Sequence, residues 1–150
     1  MGNKENYPDQ NECTIAIIGL GYVGLPLAIE FSKKQKCNIS GNILRRKVIG
    51  FDINSERLKN LKNGIDITNE IDREELLDAN FTDLTNKVES IAKADVFIIT
   101  VPTPIDNLKK PDLEPLKKAT LTVAKAIRIR SYSKNKSIPI IIYESTVYPG

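Results

Sequence analysis

The chain has no histidine and no tryptophan, and only one methionine and two cysteines in 150 residues. With no histidine, and with Cys13 and Cys37 standing apart, the residue types argue against a transition-metal site. Two unclustered cysteines make neither a disulfide framework nor a redox motif, so a reduced, cytoplasmic setting is the simplest reading. No stretch is long and apolar enough to span a bilayer, and the first residues carry no signal-peptide pattern. Neither sign of charge dominates: 22 Lys and Arg face 19 Asp and Glu, for a net +3. The basic runs at Lys33-Lys34 and Arg45-Arg46-Lys47 read as solvated faces. No recognised nucleic-acid module accompanies them, which argues against a nucleic-acid partner. The length fits one domain with a real core, and no internal repeat is present.

What the chain does have is a near-continuous apolar run, Thr14–Ile18, leading into Gly19-Leu20-Gly21-Tyr22-Val23-Gly24. Leu27, Ala28 and Phe31 follow at helical spacing, and Pro26 sits in the first turn, where its missing N–H costs nothing. A strand, a Gly-x-Gly-x-x-Gly turn and a helix in this order make a pocket for a pyrophosphate. Gly19 permits the tight turn, Gly21 lets phosphate oxygens approach the backbone, and Gly24 lets helix and strand pack closely. The helix then aims free N–H groups and its positive dipole end at the anion. The plain alternative is an ordinary strand-turn-helix.

Further strands are predicted at Val48–Asp52, Phe81–Thr82, Val96–Val101 and Ile138–Glu144. Helices are predicted at about Gly24–Lys34, from Asn54 or Ser55 to Gly64, over Asp72–Ala79, over Asp83–Lys93, and from about Glu114 to Ile129. Strands alternating with helices predict an α/β fold: a Rossmann-type, doubly wound parallel sheet in three α/β/α layers. Residues 1–13 read as a disordered extension and 14–150 as the domain. Its ribose acid would normally lie about 20 residues beyond the glycine fingerprint. Asp52 lies further on, and the surplus is assigned to an inserted loop or hairpin over residues 37–47.

Asp52 ends the second strand, where a carboxylate accepts both hydroxyls of an adenosine ribose and repels a 2′-phosphate, selecting NAD over NADP. The alternative is a helix cap or an exposed acid. Arg57, one turn into the next helix, either lies over the adenine or its ribose or is an exposed helical Arg. Val101-Pro102-Thr103-Pro104 leaves a strand at its C-terminal end, on the ligand side, with Thr103 as a candidate phosphate or ribose contact. Ser145 and Thr146 hold the same place after the last strand and either line the nicotinamide end or cap a helix.

Together, Ile17–Pro26, Gly50–Asn54 with Arg57, Gly64–Ile71, Val101–Asp106, Pro111–Leu113 and Tyr143–Gly150 resemble the nucleotide-sugar 6-dehydrogenase family, which includes UDP-glucose and GDP-mannose dehydrogenases. The forms Thr-Pro-Ile-Asp and Tyr-Glu-Ser-Thr-Val-Tyr-Pro-Gly look most like the branch acting on UDP-N-acetylglucosamine and UDP-N-acetylgalactosamine for capsule and O-antigen polysaccharides. The resemblance implies oxidation of a sugar C6 alcohol to a carboxylate by two successive NAD⁺, through a cysteine-bound thiohemiacetal. It implies cofactor contacts at Gly19, Leu20, Gly21, Tyr22, Val23, Gly24, Asp52, Arg57, Val101, Pro102, Thr103, Pro104, Ile105, Ser145, Thr146 and Val147. Thr146 matches the family threonine that positions the catalytic water near the nicotinamide. Neither Cys13 nor Cys37 matches the nucleophile, and the family's catalytic Lys and Asn and its dimer-forming helix have no counterpart in these residues. The expectation is therefore an NAD-binding portion of a longer enzyme, inactive alone, with a nucleotide-sugar substrate, a homodimer only at full length, and no membrane or nucleic-acid partner. Rival expectations are a stand-alone NAD-sensing or scaffolding module, a β-hydroxyacid dehydrogenase, and an S-adenosylmethionine-binding domain.

Overall fold

The apolar runs become five parallel strands in a computed structural model that describes residues 6–33, 35–105, 111–131 and 137–145. β1 (Thr14–Ile18) lies at the centre, with β4 (Lys47–Phe51) on one side and β6 (Val96–Ile99) on the other. β5 (Phe81–Thr85) flanks β4 and β7 (Ile140–Tyr143) flanks β6, giving the order β5-β4-β1-β6-β7. Chain direction therefore reverses its progress across the sheet between β1 and β6. At such a switch point two loops diverge and leave a crevice at the strands' C-terminal ends.

The strands are apolar on both faces because helices cover both. Ile15 and Ile17 of β1 pack with α1 (Gly24–Ser32), α2 (Ser55–Lys62) and α3 (Arg73–Asp78), through Leu25, Ala28, Ile29, Leu58, Leu61 and Leu76. Their neighbours Ala16 and Ile18 point the other way, onto α4 (Val88–Ile91) and α5 (Glu114–Ser131), through Ile91, Ala119, Val123 and Ala126.

Several boundaries follow directly from local chemistry. Asn54 caps α2, accepting from the N–H groups of Glu56 and Arg57 at 3.0 and 3.1 Å. The helix ends where Gly64, with φ +70°, donates to Leu61 and Ile65 donates back to Asn60. Asp72 caps α3 through Glu75 N–H.

The helix predicted over Asp83–Lys93 is corrected. Asp83–Thr85 completes β5, and only Val88–Ile91 is helical. Leu84, Val88 and Ile91 have helical spacing but serve opposite layers. Leu84 packs on the α1 side, while Val88 and Ile91 pack on the α5 side. Strand pairing of Leu84 with Gly50 overrides the spacing.

The residues 37–47 expected to form an inserted loop or hairpin contain the turn and second strand of an antiparallel hairpin, β2 (Gln35–Lys36) with β3 (Ile43–Leu44), whose first strand precedes them. It lies by the entrance to β1 and β4, at the opposite end of the sheet from the crevice. The extension expected to be disordered is held there over residues 6–13: Arg45 N–H donates to Asn11, the Arg46 Nε to Gln10, and Ile138 N–H to Asn6. These backbone partners are invisible to a reading based on polarity. Residues 1–5 lie outside the described residues.

The same end of the sheet carries an ion pair between a buried Arg130 and a half-buried Asp95. Asp95, just before β6, accepts from Thr14 N–H at 2.9 Å, from Arg130 of α5 at 2.7 Å and from the Ser137 hydroxyl at 3.1 Å. Arg130 also donates to the Ala94 carbonyl at 2.7 Å. Burial pushes the Asp95 carboxyl up, but these donors outweigh it and hold the group below its ordinary 3.8. Asp95→Asn leaves the Arg130 charge buried without its counter-ion and is expected to cost about 3 kcal/mol at neutral pH. A carboxyl held low contributes fully above its ordinary value and loses that contribution as pH falls through the folded value. The gap in urea midpoint between wild type and variant should therefore narrow below about pH 4.

Candidate functional site

At the C-terminal end of β1 the chain makes its glycine turn, and neighbouring elements claim the turn's inward polar groups. Gly19, at φ +98°, donates its N–H to the Phe51 carbonyl at 2.8 Å. The Leu20 N–H donates to Oδ2 of Asp52 at 2.8 Å. The Thr100 hydroxyl lies 2.7 Å from the Gly19 carbonyl oxygen and donates to it. The Leu20 carbonyl accepts from Nε of Arg57 at 2.9 Å. The Leu20 side chain is fully buried in the core, so what it brings to the site is backbone.

The other two glycines serve different needs. A β-carbon on Gly24 would drive into the Gly19 carbonyl oxygen and the Thr100 hydroxyl. One on Gly21 would meet nothing within 4 Å. Gly21 is bare towards open space, and that space is a cleft of about 470 Å³. The cleft runs from the glycine turn past Phe51-Asp52-Ile53 and Thr100-Val101-Pro102 to the first turns of α5. The N-terminus of α1, beside the turn, has no side-chain cap and no acid in its first turn. Its positive end is left for an anion.

Asp52 stands at the cleft, with Oδ2 on Leu20 and Oδ1 accepting from Asn54 N–H at 2.8 Å. A carboxylate offers about four acceptor positions. Two remain beyond these bonds, enough for a pair of ribose hydroxyls. The alternative of an exposed helical Arg57 is corrected: the residue is only 4% exposed. Its guanidinium is divided between Leu20, Asp66 at 2.6 Å and Thr68 at 3.2 Å.

Val101 and Pro102 line the cleft. Pro104 accepts from Asp112 N–H, and Ile105 bridges to Pro111, which closes the loop's base. Ser145 is buried beneath this loop and donates to the Val101 carbonyl at 2.8 Å, so it braces the loop and caps no described helix. Tyr22 and Val23 are exposed at the start of α1. Thr146 and Val147 lie outside the described residues. Sequence reading missed Thr100, whose only signal is a hydroxyl at a strand end. It also missed the α5 face of Pro115, Lys118, Ala119 and Thr122, which reaches the cleft only through the tertiary fold. Among the described residues no cluster of Cys, Asp and Glu is arranged to hold a metal ion, and no helix is long and apolar enough to cross a membrane.

A parallel sheet in this order, with a braced glycine turn, an open helix N-terminus and an acid at the end of the second strand, defines a Rossmann-type dinucleotide-binding domain. Residues 13–150 match the NAD binding domain of the UDP-glucose/GDP-mannose dehydrogenase family, and the chain belongs to that family. It is 47% identical over 140 residues to a UDP-N-acetyl-D-glucosamine 6-dehydrogenase of Salmonella typhi, covering 93% of this chain and 28% of the relative. It is 48% identical to the Pseudomonas aeruginosa protein of that name over 136 residues, 91% of this chain and 28% of the relative. The solved UDP-D-ManNAc dehydrogenase of Pyrococcus horikoshii superposes with a TM-score of 0.70 at 35% identity, over 91% of this chain and 29% of that one. The chain thus spans little more than a quarter of the relatives it matches.

The two inner glycines should separate on substitution. Gly24→Ala is expected to lose about 3 kcal/mol through overpacking against the turn. Gly21→Ala, facing open space, should stay within about 0.5 kcal/mol of wild type. Urea unfolding of both variants reads the difference directly.

Proposed function

We propose that the cleft holds NAD⁺ in an extended pose, with its pyrophosphate on the glycine turn and its adenosine ribose on Asp52. We further propose that the whole protein oxidises the C6 alcohol of a UDP-N-acetylhexosamine to the uronic acid, consuming two NAD⁺. The carrying observation is the convergence in one cleft of a bare Gly21, an uncapped α1 N-terminus and a carboxylate with two acceptor positions to spare. Bound there, NAD⁺ supplies the hydride acceptor. The protein's share at this end is placement. The turn offers N–H groups to phosphate oxygens, and Asp52 takes the ribose hydroxyls and excludes a 2′-phosphate by charge and by occupancy.

Val101-Pro102-Thr103-Pro104 and Ile105 form a wall against the cofactor, with Thr103 a contact for its phosphate or ribose, and Ser145 braces that wall at the nicotinamide end. Thr146 and Val147, next in sequence to Ser145, are assigned to the same end, with Thr146 positioning water. Arg57 is assigned to the cofactor site through the turn it holds. The names of the Salmonella and Pseudomonas relatives support an N-acetylglucosamine derivative as the sugar. In this reading the product feeds capsule or O-antigen polysaccharide, and the working enzyme is a cytoplasmic homodimer.

Calorimetric titration with NAD⁺, NADP⁺ and S-adenosylmethionine tests the cofactor assignment. NAD⁺ alone should bind and stabilise the chain. Asp52→Ala should weaken NAD⁺ about tenfold, the loss of a charge-assisted contact. Asp52→Asn, which keeps an oxygen for Leu20, should narrow the preference for NAD⁺ over NADP⁺. Binding of S-adenosylmethionine in place of NAD⁺, or an unchanged affinity in Asp52→Ala, would overturn the assignment.

A further inference from the structure

Charge is divided unevenly along the chain. From 31 to 51 there is no acid, and Lys33, Lys34, Lys36, Arg45, Arg46 and Lys47 make six cations. The net charge of the whole chain is only +3, so the residues outside this block carry a net −3. From 70 to 83 six acids accompany a single base, Arg73. The first block holds the hairpin of β2 and β3, and the second holds α3.

The fold sets these two blocks side by side. Lys33, at the end of α1, pairs with Glu30 of its own helix and reaches Glu75 of α3 at 3.0 Å. An open groove of about 450 Å³ lies between the two helices and takes its charge from Asp72, Glu74, Glu75 and Asp78. β2 begins two residues beyond Lys33. Past this junction the charges find few partners. Glu12 lies 3.6 Å from Arg45, and Arg46 lies over the Phe31 ring with its Nε on the Gln10 carbonyl. Among the described residues Lys36, Lys47, Glu74 and Asp78 form no ion pair. Three apolar side chains of the same elements are exposed: Ile39 at the hairpin turn, at 98%, with Ile43 and Leu77 at 59% and 56%.

One exposed ion pair contributes little, because water already solvates both charges. A positive patch beside a negative one is a different case. A two-fold axis lays each patch on its opposite in the second copy, so every contact is made twice. We infer that the hairpin and α3 form a self-complementary surface on which a second copy of this chain docks. The hairpin of each copy lies against the acidic groove of the other, and Ile39 is withdrawn from water in both. The surface lies at the opposite end of the sheet from the cleft, so pairing leaves the cleft open. It is separate from the dimer-forming helix that the family resemblance implies. A portion expected to be dimeric only at full length thus has a contact of its own, weak and sensitive to salt.

Sedimentation velocity of the chain tests the pairing at ionic strengths of about 0.05 M and about 0.5 M, between which the screening length falls roughly threefold. Wild type should dimerise at the lower and dissociate at the higher. One variant reverses the hairpin with Lys36→Glu and Lys47→Glu, and another reverses α3 with Glu74→Lys and Asp78→Lys. Each should weaken the dimer at least about tenfold, since like charges then face each other. All four positions are exposed, so both variants should melt close to wild type. Mixed one to one, the two variants should recover the wild-type affinity, because every contact again joins opposite charges. A mixture that stays monomeric, or variants that pair as wild type does, would overturn the inference. Association that survives high salt and both reversals would put the contact on the exposed apolar strand β7 and overturn it too. So would a wild type that is monomeric at low salt, and hairpin-dependent binding to phosphatidylglycerol vesicles would then assign the surface to an anionic membrane.

Discussion

The bond from the Leu20 amide to the Asp52 carboxylate, 2.8 Å long, is the constraint on which the site depends. A turn that captures an anion with its N–H groups must be held in shape by other means. Here the holding comes from both sides. The second strand supplies the Phe51 carbonyl and Asp52, and the fourth strand of the sheet supplies Thr100. Those strands flank β1 only because of the order β5-β4-β1-β6-β7. The parallel arrangement also brings all three C-terminal ends to the same edge. The topology is thus the means by which residues far apart in sequence meet at one turn.

The consequence is energetic. A loop that orders only when its ligand arrives subtracts that ordering from the affinity. A turn whose carbonyls and inner amides are already bonded has little left to order. In the proposed function Asp52 joins two tasks in one group: it shapes the turn and presents acceptors for a ribose. Ligand contact and scaffold are therefore linked at that residue, whereas Gly21 contributes only room.

Much of this was legible in the sequence because it rests on local, periodic signals. The strand leading into three glycines, the acid at the end of the second strand, the Asn54 cap and the Gly64 stop all express short-range chemistry. What stayed hidden depends on partners distant in sequence. Leu84, Val88 and Ile91 share a spacing but not a layer, which only the sheet edge decides. Arg57 reads as either a cofactor contact or an exposed residue, and the exposed alternative fails once the segment containing Asp66 folds over it. Ser145 gives no sign in sequence that its hydroxyl bonds the Val101 carbonyl. The polar tail at residues 6–13 is held by backbone carbonyls, which no side-chain pattern announces.

Two arginine–aspartate pairs, each with a buried guanidinium, mark the two ends of the sheet. Arg130 and Asp95 sit at the N-terminal end, joining α5 to β1, β6 and the approach to β7. Arg57 and Asp66 sit at the cleft end, joining α2 to the glycine turn. Buried ion pairs rarely out-stabilise well-packed apolar residues, because desolvation offsets the attraction. What arginine adds is direction: a rigid fork bonds named carbonyls and so fixes which segment lies against which. At the far end that direction ties α5 to the start of the strands. At the cleft end the carbonyl it fixes belongs to the glycine turn, so in the proposed function the same physical device supports the cofactor site. The difference lies in which peptide group each fork is aimed at, and that is set by topology.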